Sequence, residues 1–222
     1  MTAPKEEPFL LDLANQGYDV YFSYSRGNDY SQKHSTYDVM EKEFWDFSYM
    51  DLYKDTKAQV DYIYNTTGQQ VSLMSHSSGS LQFFAAMDQD YEWFSYRTKN
   101  LALISPCTVL GDAATSWMTE ELFGIADHLD IFEFGGPTWY KSLPKLSALI
   151  GRRALRDFQY MGWGDTIKNV ATKSLDHIAQ NSREGVLQTY SETYWSPDSP
   201  EKKTRALNLS ANKTIPVGMF IG

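Results

Sequence analysis

The residues with the clearest capacity for chemistry lie in M-S-H-S-S-G-S, Met74 to Ser80. Ser77 sits at the centre of Ser75-His76-Ser77-Ser78-Gly79, between V-S-L-M (71–74), which reads as a strand, and G-S-L-Q-F-F-A-A-M-D (79–88), which reads as a helix. Strand, sharp turn, helix is the setting in which a serine is held strained, its hydroxyl above a sheet, as a nucleophile for acyl transfer. Such a turn needs small residues two positions either side, because strand and helix nearly touch there. Gly79 meets the need; Ser75 adds a Cβ and a hydroxyl where glycine is usual. The backbone N–H of Ser78, at the helix start, is a candidate oxyanion donor. His76 adjoins Ser77 in sequence, but on a sharp turn it points away and makes a poor base. Serine-rich turns without chemistry share the pattern, so on the residues alone both readings stand.

The other candidate groups are few. The histidines are His34, His76, His128 and His177, and His128 is flanked by Asp127 and Asp130. His34, His128 and His177 each read as structural or surface residues rather than as a base. The single cysteine, Cys107, excludes an intrachain disulfide and a cysteine-based zinc site. Its setting, L-A-L-I-S-P-C, reads as the end of a buried strand, with the thiol as a small hydrophobe. With scattered histidines and no phosphate-cradling glycine loop, neither a metal nor an organic cofactor is expected.

The elements that must position Ser77 follow from periodicity. Residues 7–16 read as a short helix stopped by Gly17, and Tyr18 to Ser23 as a buried strand. Residues 50–64 read as a helix with an acidic first turn and Leu52, Ala58 and Val60 to Ile63 on one face. Residues 100–105 and 215–221 are further short apolar strands. Strands separated by helices give an α/β fold with a mostly parallel sheet. The interval 110–170 holds Trp117, Phe123, Ile131, Phe132, Phe134, Trp139 and Tyr140 without a clear strand, and reads as a helical insertion over the strand ends.

Bulk properties bound the function. A chain of 222 residues with 42% hydrophobic content can bury a core, and a formal net charge of −8 argues against a nucleic-acid partner. No apolar run approaches the roughly 20 residues of a spanning helix. The polar, acidic N-terminus M-T-A-P-K-E-E-P is unlike a signal peptide, whereas the sequons at Asn65, Asn208 and Asn212 hint at a secretory origin.

Several motifs carry a resemblance. G-Y-D-V-Y-F-S-Y-S-R-G-N-D-Y-S-Q-K-H (17–34), E-F-W-D-F-S-Y (43–49), Y-N-T-T-G (64–68), L-A-L-I-S-P (101–106) and I-P-V-G-M-F-I-G (215–222) occur in this order. The run resembles the acid lipases, the lysosomal acid lipase and gastric lipase group. The resemblance implies an α/β-hydrolase fold with a helical cap, acting on triacylglycerols or sterol esters at a lipid–water interface in acidic surroundings, lysosomal or secreted. Ser77 takes the nucleophile's place and the Ser78 N–H that of an oxyanion donor, although the family has G-H-S-Q-G where this chain has S-H-S-S-G. Arg26, Gly27 and Asn28 match a structural loop, and Phe44 to Tyr49 a packing segment. Residues 1–109 correspond to the core with the elbow, 110–170 to the cap, and 171–222 to the return to the core. By the same resemblance the H-G oxyanion loop belongs before Met1, and the triad aspartate and histidine belong after Gly222. The expectation is then an incomplete fold with weak or no turnover. The alternative expectation is a non-catalytic lipid-binding or interaction protein.

Overall fold

The computed structural model describes residues 9–109, 123–124, 126–127, 129–151, 169–196, 204–211 and 214–221. Trp117, His128 and the sequon at Asn212 lie outside these, as do residues 110–122 and 152–168 of the expected cap.

After a short helix α1 (Phe9–Asn15), which ends just before Gly17 at φ +90°, the chain runs without regular structure to residue 41. The strand expected at Tyr18 to Ser23 does not form. Tyr18, Tyr21 and Phe22 are exposed, and among the described residues no strand pairs there. A strand exists only with a hydrogen-bonding neighbour, so aromatic and β-branched composition is insufficient on its own.

Helix α2 (Tyr49–Thr67) starts in a capping box. The Ser48 hydroxyl accepts from the first turn, and Asp51 Oδ2 accepts from the Ser48 N–H at 3.0 Å. It ends at Gly68, whose φ of +68° lets its N–H reach back to the Tyr64 carbonyl. The buried stripe is Tyr49, Thr56 and Val60, with Leu52 packed alongside. Ala58 and Tyr62, expected on that face, point outward, because the 3.6-residue repeat set by Tyr49 carries them past the core.

Strand β1 (Val71–His76) leads through a 3-10 turn (Ser77–Ser80) into α3 (Leu81–Gln89), α4 (Tyr91–Arg97) and β2 (Thr98–Ile104). Two short strands, β3 (Glu133–Phe134) and β4 (Val170–Ala171), pair antiparallel, which corrects the strand-free reading of the interval 110–170. Helix α5 (Trp139–Ile150) follows β3, α6 (Thr172–Glu184) follows β4, and β5 (Val217–Phe220) comes last. The main sheet has the order β1-β2-β5 and is parallel throughout, with Leu73 opposite Leu101, Ser75 opposite Leu103 and Leu101 opposite Val217. The chain therefore has an α/β fold with a parallel sheet, as its pattern of elements predicts.

The core packs α2 and α3 on one face of this sheet. Leu81, Phe84, Phe94, Leu101 and Leu103 are almost fully buried there, each contributing about 1.5–3 kcal/mol by burial. A second cluster, Phe44, Trp45, Phe47 and Ala171, is built on the expected packing segment. Gly27 belongs to it: φ is +87°, and a Cβ there would lie 2.7 Å from the Trp45 ring. Arg26 fastens the same loop to α2 by forked hydrogen bonds to Asp55, which hold its guanidinium above its usual pKa.

Helix α6 is buried all round from Ser174 to Ser182, although much of it is polar. It is tolerated because its polar groups find partners. Asp176 accepts from Trp195 Nε1 at 2.6 Å and Tyr190 Oη at 2.7 Å, Gln180 brackets the backbone of Ser191, and Asn181 donates to Tyr49 Oη at 2.7 Å.

Candidate active site

The site is the turn between β1 and α3. His76 is still extended, at φ −122° and ψ 140°, and Ser77 then swings to φ +53°. A non-glycine residue in the left-handed region costs about 1–3 kcal/mol and persists only where its surroundings impose it. Here the surroundings are two hydrophobic anchors, with β1 paired to β2 on one side and the buried helix α3 on the other. The Ser77 carbonyl is held from a third direction by the N–H of Cys107, at 3.2 Å.

Strand and helix approach closely across the turn. A Cβ on Gly79 would meet the Cβ of Ser75 at 3.7 Å, which is contact distance. An alanine at 79 would fit at ordinary van der Waals distance. Ser75 does more than fit: its Oγ lies 2.8 Å from the Oγ of Ser80. The turn is backed by Gln82, whose Oε1 accepts from Thr56 Oγ1 at 2.8 Å and from Ser25 Oγ at 3.3 Å. That side chain joins α3 to α2 and to the loop before Arg26.

Ser78 is exposed and lies in the first turn of the helical segment, where backbone N–H groups have no acceptor within the helix. A carbonyl oxygen beside Ser77 could take that N–H. One serine hydroxyl and one helix-start amide side by side are the groups that an acyl transfer would use.

No histidine among the described residues is bonded to the Ser77 hydroxyl. His76 is exposed at the end of β1. His34 uses its ring nitrogen Nδ1 to accept from the N–H groups of Thr36 and Tyr37, and its ring stacks on Tyr37. His177 is fully buried on α6, stacked 4.0 Å from the Tyr49 ring, with Nε2 bonded to the Gln188 carbonyl at 2.8 Å. Burial lowers its pKa to about 4, outweighing the opposite effects of the Gln188 carbonyl and Asp51. His34 and His177 are thus structural, in keeping with their sequence setting.

Cys107 does not end a strand, since β2 stops at Ile104 and Ser105 turns with φ +42°. The thiol is half-buried against the main core and its pKa is raised by burial, which suits a small hydrophobe and not a nucleophile. Among the described residues there is no group of three or more metal-ligating side chains and no helix long and apolar enough to cross a membrane.

One residue that sequence reasoning missed is Glu133. Fully buried, its carboxylate accepts from the N–H groups of Gly136, Thr138 and Trp139 and from the Thr138 hydroxyl at 2.6–2.7 Å. It fixes the start of α5. The signal was G-G-P-T just beyond an acidic residue, a turn chemistry that exposes several donors at once.

No protein-family model matches the chain. Comparison with curated proteins does find relatives. The lysosomal acid lipase/cholesteryl ester hydrolase of Homo sapiens is 40% identical over 124 residues, 54% of this chain and 30% of that protein. Triacylglycerol lipase 1 of Arabidopsis thaliana is 33% identical over 131 residues, 59% of this chain and 32% of its own length. A protein of Schizosaccharomyces pombe named "Probable lipase C1672.09" is 42% identical over 80 residues, 35% of this chain and 17% of its own. The chain spans between 17% and 32% of the length of these relatives. Its curated homologues are lipases that include the lysosomal acid lipases, and over the part they match, the chain resembles that family.

Proposed function

We propose that this chain carries the nucleophile of an acid-lipase-like serine ester hydrolase acting on neutral lipids, triacylglycerols or sterol esters. The observation that carries the reading is the conformation of Ser77, at φ +53° between a parallel strand and a buried helix, with Gly79 and Ser75 in near contact beneath it. In the reaction the Ser77 Oγ attacks the ester carbonyl carbon as its proton passes to a base. The Ser78 N–H donates to the oxyanion. Collapse of the tetrahedral adduct breaks the bond to the alcohol, and water then releases the acid from the acyl-serine. The aromatic-rich interval 110–170 serves as the cap that receives acyl chains at the lipid–water interface, over a core of residues 1–109 and 171–222. A lysosomal or secreted glycoprotein accords with exposed asparagines in the sequons at Asn65 and Asn208.

One observation favours a second reading, a lipid-binding relative without turnover: among the described residues no histidine is bonded to the Ser77 hydroxyl. A fluorophosphonate ester probe separates the two. Phosphonylation of the peptide carrying Ser77, abolished in Ser77→Ala together with hydrolysis of a short-chain p-nitrophenyl ester, supports the hydrolase. A cooperatively folded protein that binds fatty acid or sterol yet takes up no probe supports the binding protein.

A further inference from the structure

We infer that Ser75 and Ser80 form a hydroxyl clasp that positions Ser77, so that the serine standing where an elbow glycine is usual is a working part of the turn; this rests on the reading of Ser77 as nucleophile.

Three observations converge. The two Oγ atoms lie 2.8 Å apart, joining the penultimate residue of β1 to the residue preceding α3 across the strained turn. Ser80 is fully buried inside a helical run that continues from the 3-10 turn into α3, and its hydroxyl, which bonds no helix N–H, reaches the strand instead. Finally, Ser75 is aligned with Leu103, itself fully buried, so the strand end of the clasp rests on a fixed support.

A buried hydroxyl needs a partner, and among the described residues each of these side chains is bonded to the other. The clasp closes a six-residue loop whose third residue is Ser77. Holding the two ends together restricts Ser77 to conformations that complete the turn, and the left-handed one is observed. With the hydroxyls removed, strand and helix remain anchored by Leu103 and by the buried face of α3, but the turn between them can relax. The clasp therefore acts on the aim of the Ser77 hydroxyl more than on the stability of the whole protein.

The decisive variant is Ser75→Gly. If Ser75 merely crowds the turn, restoring glycine leaves Ser77 as reactive as before, or more so. If it is half of a clasp, Ser75→Gly and Ser80→Ala each slow phosphonylation of Ser77 about tenfold. The Ser75→Gly, Ser80→Ala double variant is then no slower than either single one, as for groups that act as a unit. The intraresidue amide-to-Hα NOE of Ser77, which is strong only where φ is positive, should weaken in each variant, while the cooperative thermal transition persists. An unchanged NOE together with a Ser75→Gly rate at or above that of the parent overturns the clasp. Absence of labelling in the parent protein refutes the nucleophile instead, and the NOEs of parent and variants then decide the clasp by themselves.

Discussion

His177 makes the fold sensitive to acid in a way that can be worked through. Its ring lies against Tyr49, at 4.0 Å, and near Tyr190, at 5.2 Å, and has no exposure to solvent. With Nε2–H donating to the Gln188 carbonyl, Nδ1 has no partner among the described residues, so a second proton would be buried without an acceptor. Burial accordingly lowers the pKa from 6.5 to about 4; the Gln188 carbonyl and Asp51 oppose the shift, and Lys173 adds slightly to it. Above pH 6.5 neither the folded nor the unfolded chain holds the proton. Between there and about pH 4 the unfolded chain takes it and the folded one does not, so stability falls by up to about 1.4 kcal/mol per pH unit. The whole loss approaches about 3 kcal/mol and saturates below pH 4. Neighbouring Asp176 acts in the opposite sense. Burial raises its pKa against the hydrogen bonds of Trp195, Tyr190 and Gln180, so the folded chain gains a proton first and stability is favoured as the pH drops through that range. Comparison with His177→Gln, whose amide can still donate to the Gln188 carbonyl, cancels the Asp176 contribution. Urea unfolding from about pH 7.5 to about pH 4.5 should show the parent losing about 2–3 kcal/mol more than the variant. Parallel curves would refute the reasoning.

Three further outcomes are expected. Gly27→Ala adds a Cβ 2.7 Å from the almost fully buried Trp45 ring at a φ of +87°, and should lower the stability measured by urea unfolding by about 2–4 kcal/mol; a loss below about 0.5 kcal/mol would show that the ring can give way. Glu133→Gln replaces one acceptor oxygen with a donor facing backbone N–H groups, and should cost about 2–3 kcal/mol, seen first as faster amide exchange in the opening turn of α5. Ser48→Ala removes half of the capping box of α2 and should cost about 1 kcal/mol, with exchange protection lost at Met50 and retained near Val60.

What the sequence discloses here is what local chemistry decides. Helix α2 is legible over 50–64 from its acidic first turn and apolar spacing, and the capping box at Ser48 and the turn at Gly68 extend it to Tyr49–Thr67. Strands β1, β2 and β5 are legible as short apolar runs bounded by turn residues. The strand that failed, Tyr18 to Ser23, has the same composition, but composition states only that a segment suits a sheet; pairing states that it is in one. Among the described residues the outer edge of β1 has no neighbour, and Tyr18, Tyr21 and Phe22 remain in solvent. Glu133 was missed for the converse reason, since a carboxylate in an apolar-aromatic run announces its partners only when the following turn folds back on it.

The turn around Ser77 divides in the same way. The positive φ of Ser77 and the closeness of Gly79 to Ser75 are consequences of strand-turn-helix and could be anticipated. The use made of Ser75 could not, because its hydroxyl partner is fixed by the distance across the turn and by the burial of Ser80 within the helical run. Read from the motif, Ser75 is a departure that weakens the case for chemistry, since a side chain has been added where space is short. Read from the geometry, it replaces the freedom of a glycine with a hydrogen bond that restrains the residue two places on. A glycine permits a strained serine by imposing nothing; a clasped serine permits it by holding the two ends of the turn. The two solutions differ in one measurable respect, because only the second makes the conformation of Ser77 depend on a hydroxyl at position 80.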